Sequence, residues 1–181
     1  MINLNDKKYE DKSPKIFNGG RAGIVKDCDI RVEKKTKEDP ENSPLFKLYI
    51  IDSADGEMNK GYYTNFKSEK AEEFFVREMK HLINVFRLKV PEAYDSYDEM
   101  LSTIMKAIKE KEGEVKVNVA VAYGTEAYPK RFLELDGFWG LMNVEDGVPR
   151  LNPNAILDRP AGDDETGAKV SVSASTDDEE W

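Results

Sequence analysis

Three stretches carry most of the residues able to do chemistry: Arg31 to Lys37, Lys47 to Tyr63, and Tyr123 to Arg131. The first ends in Lys34-Lys35-Thr36-Lys37. The second holds Lys47, Tyr49, Lys60, Tyr62 and Tyr63, and the third Tyr123, Tyr128, Lys130 and Arg131. Ammonium and guanidinium groups pair with phosphates, and aromatic faces accept stacked bases. Interleaved, the two types suit a flexible polyanion that carries rings. One such residue says little, because tyrosine is an ordinary β-former and a lysine is usually only solvated.

Enzymatic chemistry has weaker support. Glu114-Val115-Lys116 is a Glu-x-Lys pair on one strand face, as metal-dependent nucleases use. Such a site also needs an upstream Asp sharing Mg²⁺, and the candidates Asp52 and Asp55 fall in a turn. His81 has no serine or cysteine partner in a recognisable motif, and Cys28 on an apolar strand face reads as a small buried hydrophobe. Asn18 to Gly23 is glycine-rich but precedes a strand, not a helix, so it is no phosphate loop. A single cysteine and a single histidine exclude a disulfide framework and a four-ligand zinc site. A non-catalytic protein with no cofactor and no metal is expected.

The elements that must position these residues follow from periodicity. Residues 1 to 20 are polar and read as an irregular arm. Ala22 to Lys34 alternates, with Ile24, Lys26, Cys28, Ile30 and Val32 on one face and Val25, Asp27, Asp29, Arg31 and Glu33 on the other. A loop with two prolines follows, Thr36 to Pro44. Leu45 to Ile51 is the second strand, with Phe46, Leu48 and Ile50 on its core face. Asp55-Gly56 marks a hairpin into the third strand, Lys60 to Phe66. Alternation puts one of Tyr62 and Tyr63 inside and leaves open which.

Ser68 caps a helix whose apolar stripe is Ala71, Phe74, Phe75, Met79, Leu82, Ile83 and Phe86, ended by Pro91. Ser96-Tyr-Asp-Glu99 is a capping box opening a second helix that stops at Gly113. Glu114 to Tyr123 alternates as a fourth strand, with Val115, Val117, Val119 and Val121 in and Glu114, Lys116 and Asn118 out. Phe132 to Met142 is the fifth, with a bend or bulge at Gly137 and Gly140. Beyond Val144 periodicity is lost.

The order β-β-β-α-α-β-β predicts a mainly β fold with a helical insertion. The expected architecture is a five-stranded OB-like barrel, which takes ligands on strands 2 and 3 and in loops 1–2 and 4–5. A twisted α+β sheet of another topology is the rival. On the barrel reading the nucleic-acid contacts are Arg31, Lys34, Lys35, Lys37, Lys47, Tyr49, Lys60, Tyr62, Tyr123, Lys130 and Arg131. The expected domains are an arm (1–20), a binding body (21–160) and a disordered acidic tail (161–181).

The formal net charge of −9 argues against phosphate binding until its distribution is read. From Asp163 onward seven acids face one lysine, a charge of −6, which leaves −3 for residues 1–162. The last residues are Asp177-Asp178-Glu179-Glu180-Trp181. An acidic tail ending in an aromatic resembles the C-termini of bacterial and phage single-stranded DNA-binding proteins. Gly19-Gly20-Arg21-Ala22-Gly23, Arg31 to Lys35, Asn42 to Leu48 and Asp55-Gly56 are similar to phage proteins of that group with an OB-fold. The resemblance implies sequence-independent coating of single-stranded DNA in replication, recombination or repair. It also implies that Asp177, Asp178, Glu179, Glu180 and Trp181 dock on a polymerase, helicase or primase and compete with DNA for the groove. The family usually ends in Phe; this chain ends in Trp. The alternative is a protein–protein adaptor with a solubilising tail. No apolar run reaches the roughly 20 residues of a membrane helix, the start lacks a secretory h-region, and a cytoplasmic location is expected. Homo-oligomer formation is compatible with the sequence.

Overall fold

The computed structural model describes residues 16–35 and 45–160. Six antiparallel strands and two helices make up most of it: β1 (Gly23–Lys34), β2 (Phe46–Ile51), β3 (Glu57–Tyr62), α1 (Glu69–Phe86), α2 (Tyr97–Lys109), β4 (Val117–Gly124), β5 (Pro129–Leu135) and β6 (Leu141–Asn143). The ladder runs β3-β2-β1-β4-β5, with β6 also on β4. It does not close into a five-stranded barrel. Residues of β3 and β5 nevertheless approach each other across the open edge.

β1 organises the sheet because it serves two partners. Its first half pairs with β4 and its second half with β2. Between them the register shifts: Val25 faces Val119 and Cys28 faces Val117, so β1 carries one extra residue. That bulge sits at Asp27, whose φ is 56° and whose N–H donates to Asn118 Oδ1 at 3.0 Å. One inserted residue flips the side-chain phase. Val25 is therefore buried while Lys26 is exposed, and Cys28, Ile30 and Val32 are buried beyond it. The uninterrupted alternation expected for this strand fails at that point.

Other boundaries also move. β3 begins at Glu57 and ends at Tyr62; Phe66 is instead a loop residue packed on Phe75 and Tyr97, with ring centroids 5.0 and 5.1 Å away. α1 stops at Phe86 because Arg87 turns left-handed (φ 56°) and Leu88 N–H reaches back to Ile83 O at 3.0 Å. Pro91 comes too late to matter. β4 is buried on both faces because the helices pack over Val117, Val119 and Val121 while Gly140 and Gly147 lie against Ala120 and Asn118 on the other side. Asn118 is thus inside, not out, and its Nδ2 donates to Gly147 O at 2.6 Å. The expected fifth strand is two: Asp136 to Gly140 loops out, and β5 and β6 pair with successive parts of β4. Gly140 passes so close to β4 that a Cβ there would lie 2.9 Å from Ala120 O.

Both caps form as the sequence predicts, with Ser68 Oγ accepting from Ala71 N–H and Ser96 Oγ from Glu99 N–H, each at 3.1 Å. Met79, Leu82, Phe86, Leu101, Ile104, Met105 and Ile108 share one core with the inner sheet residues Cys28, Ile30, Leu48, Ile50, Val117, Val119 and Val121. The end of α2 and the turn after it seal an edge of β1: Val32 N–H donates to Glu112 Oε1 at 2.7 Å, and Lys109 Nζ to Val32 O at 3.3 Å.

Candidate nucleic-acid interface

The register of β1, β2 and β3 sorts the predicted contacts onto two faces. Arg31, Tyr49 and Asn59 share a cross-strand row, as do Glu33, Lys47 and Gly61. These rows face outward. The rows Val32-Leu48-Lys60 and Lys34-Phe46-Tyr62 face the helices.

The outer face brings three predicted residues together. Arg31 lies with its guanidinium 4.3 Å from the Tyr49 ring centre, and Lys35 Nζ lies 5.7 Å from it. Acids share the face. Arg31 pairs with Glu57 at 3.2 Å and Glu33 at 3.5 Å, and Lys35 with Glu33 at 3.6 Å. All four charged side chains are between 32 % and 43 % exposed. Such pairs are worth about 0–1 kcal/mol each, so a phosphate can displace a carboxylate at small cost. Burial alone would lower the Lys35 pKa, but its hydrogen bond to Tyr49 and the charge of Glu33 raise it, keeping the ammonium charged. Burial, with Glu33 adding to it, raises the Tyr49 pKa.

Several predicted contacts are elsewhere. Lys60 turns inward to Glu78 on α1, 2.8 Å away. Tyr62 is the inward member of its pair, 5 % exposed, with its hydroxyl pKa pushed well up by burial and then by Glu78. Neither lies on the open face, because β3 begins three residues earlier than expected and its alternation is set by pairing with β2. Lys47 is on the outer face but only 2 % exposed, with a partner of its own. Lys34 is exposed at the end of β1. Tyr123 is buried, its hydroxyl donating to Gly20 O. Lys130 and Arg131 are exposed on β5 rather than in a loop; loop 4–5 is only Thr125 to Tyr128. Lys37 and Asp177 to Trp181 lie outside the described residues.

The nuclease candidates do not converge. Asp52, 6 % exposed, accepts backbone N–H groups from Asn18, Ala54 and Gly56. Lys116 pairs with Asp29 at 3.4 Å. Among the described residues no group of three or more His, Cys, Asp and Glu could hold a metal.

One surface went unread in the sequence. Trp139 is 65 % and Phe74 50 % exposed. With Phe138 and His81 they form a run of rings, their centroids 4.5 Å (Phe138–Trp139), 4.7 Å (His81–Trp139) and 6.3 Å (Phe74–Phe138) apart. His81 Nε2–H donates to Leu141 O at 2.7 Å, which ties the ring to β6. The signal was the glycine bracket Gly137-Phe-Trp-Gly140, which marks an aromatic pair lifted out of a strand.

No protein-family model matches the chain, and no curated protein matches it. Fold and face together define a class: a mainly antiparallel β protein with two helices and an outer sheet surface where arginine and lysine sit on a tyrosine ring. Among the described residues no helix is long and apolar enough to cross a membrane.

Proposed function

We infer that this chain binds single-stranded DNA with little sequence preference, as a non-catalytic protein of replication, recombination or repair. The observation that carries the reading is the outer-face cluster of Arg31, Tyr49 and Lys35. Stacking on a ring between two cations is sequence-tolerant, because every base has a π-face and every nucleotide a phosphate. The strand order supports an OB-like arrangement, with the helices between β3 and β4 and the β3 and β5 edges near each other. The acidic tail ending in Trp181 would recruit replication proteins and compete with DNA for the face. The test is fluorescence anisotropy of labelled oligo-dT at two salt concentrations. Binding should saturate and weaken with salt, as counterion release requires. Salt-indifferent or absent binding would sink this reading. Deleting Asp177 to Trp181 should tighten binding; unchanged affinity removes the competition.

The protein–protein adaptor reading is favoured by a different observation, the exposed rings of Phe74 and Trp139 with the half-buried Phe138 between them. Apolar surface of this kind often marks a protein contact. It predicts that Trp139→Ala abolishes partner capture while leaving oligo-dT binding intact.

A further inference from the structure

A cleft opens beyond the N-terminal end of β1, lined by Gly20, Arg21, Ala22, Tyr123, Leu157, Asp158 and Arg159. It is built from elements outside the sheet face: the turn that enters β1 and the segment that follows β6. The turn is unusual. Asn18, Gly19 and Gly20 all have positive φ, at 45°, 62° and 76°. Three contacts hold it there. Buried Asp52 accepts the Asn18 N–H, Asn18 Nδ2 donates to Arg21 O at 3.3 Å, and the Tyr123 hydroxyl donates to Gly20 O. Arg21 therefore leaves a fixed backbone. The opposite wall is fixed by pairing with the end of β4: Tyr123 N–H donates to Ile156 O at 2.8 Å and Ile156 N–H to Gly124 O at 3.0 Å. Arg159 adds a hydrogen bond from Nε to Arg131 O at 3.4 Å.

The cleft's chemistry is mixed in an informative way. Two arginines and one aspartate line it, so the lining is net cationic. The Tyr123 ring, Ala22 and Leu157 supply apolar wall. Arginine forks match phosphate oxygens, an apolar wall suits a sugar or base, and Asp158 can accept from a hydroxyl or amino group.

We propose that this cleft is a second nucleotide site, in which Arg21 and Arg159 hold a phosphate of a nucleoside monophosphate unit and Asp158 accepts from its sugar or base. The ligand class rests on the single-stranded DNA reading. Arg21 stands just before β1 and Lys35 just after it. From position 21 to position 35, across β1, an extended chain spans at most about 46 Å at roughly 3.3 Å per residue, less the bend at the bulge. A strand lying along β1 would meet cations at both ends. Tyr123 is a positioning residue, since its hydroxyl is committed to the turn.

The experiment is an NMR titration of the full chain with dTMP, following the amides of Gly20, Arg21, Tyr123 and Asp158. Saturable shifts are expected there, absent with thymidine, lost in an Arg21→Ala/Arg159→Ala double variant and retained in Tyr49→Ala. No shift with dTMP, or equal shifts with thymidine, overturns the site. Oligo-dT separates an internal phosphate from a free nucleotide. The double variant should bind it at least tenfold more weakly, with a salt slope smaller by roughly 0.7 per lost contact; an unchanged slope refutes the polymer assignment. If wild type fails to bind oligo-dT but shows the dTMP shifts, the coating function falls and the nucleotide site stands.

Discussion

The guanidinium of Arg31 lies 4.3 Å from the centre of the Tyr49 ring, on adjacent strands at directly paired positions. Cation–π contacts of this kind keep an arginine flat on an exposed face. The same arginine is tethered to Glu57 at 3.2 Å. The ring and its cation are thus held together, and on the proposed reading Glu57 competes with phosphate for the same guanidinium.

Two substitutions separate these roles. Tyr49→Ala should weaken oligo-dT binding by about 1–3 kcal/mol, or roughly 5- to 150-fold, with the circular dichroism spectrum unchanged. Glu57→Gln should tighten it several-fold by releasing Arg31. Anisotropy titrations measure both, and a Tyr49→Ala protein that binds like wild type would remove the face from the site.

Asp52 clasps the turn before β1 to the β2–β3 hairpin through three backbone N–H groups. Asp52→Ala leaves these donors without their acceptor. Charged hydrogen bonds contribute about 1.5–3 kcal/mol each, and the losses overlap. Destabilisation of about 3 kcal/mol is expected in urea unfolding; a loss under about 1 kcal/mol would show that water replaces the carboxylate.

Cys28 is fully buried behind β1. Burial, aided by the charges of Asp52, Asp27 and Asp29, raises its thiol pKa to about 12. Thiolate is the reactive form. The native protein should therefore resist a disulfide reagent at pH 8 and react with one equivalent in denaturant. Fast native labelling would mean that β1 opens at the bulge.

His81 is half-buried, and burial lowers its pKa, against the raising effects of Leu141 O and Glu78. The unfolded chain then protonates first as pH falls, from an ordinary value near 6.5. Its contribution to stability is complete above that value and is lost as pH drops through it toward the lower folded pKa. Urea midpoints between pH 7.5 and 5 should fall more in wild type than in His81→Gln. Parallel curves would leave His81 with no part in the pH dependence.

Much of the fold was legible because its signals are local. Ser68 and Ser96 cap where hydroxyl spacing says they must. The stripes Met79-Leu82-Phe86 and Leu101-Ile104-Ile108 bury as their period requires. Tyr49 faced out because Phe46, Leu48 and Ile50 had already claimed the core face. Lys60 and Tyr62 were misplaced because β3 is defined by its register with β2 and by Glu78 on α1, neither of which leaves a mark in residues 60–66.

The sequence by itself determined the order of elements as far as the fourth strand, the two caps, the apolar stripes and the charge separation between body and tail. Each is set by residues a few positions apart. Tertiary structure decided the rest. It placed the bulge at Asp27, which needs Asn118 from a strand some ninety residues on. It split the fifth strand, since only contact with Ala120 demands Gly140. It also drew Arg31, Tyr49 and Lys35 onto one face and Arg21 and Arg159 onto one cleft. Side chains distant along the chain become neighbours only when long-range pairing fixes the register, and that pairing is a cooperative property of the whole sheet.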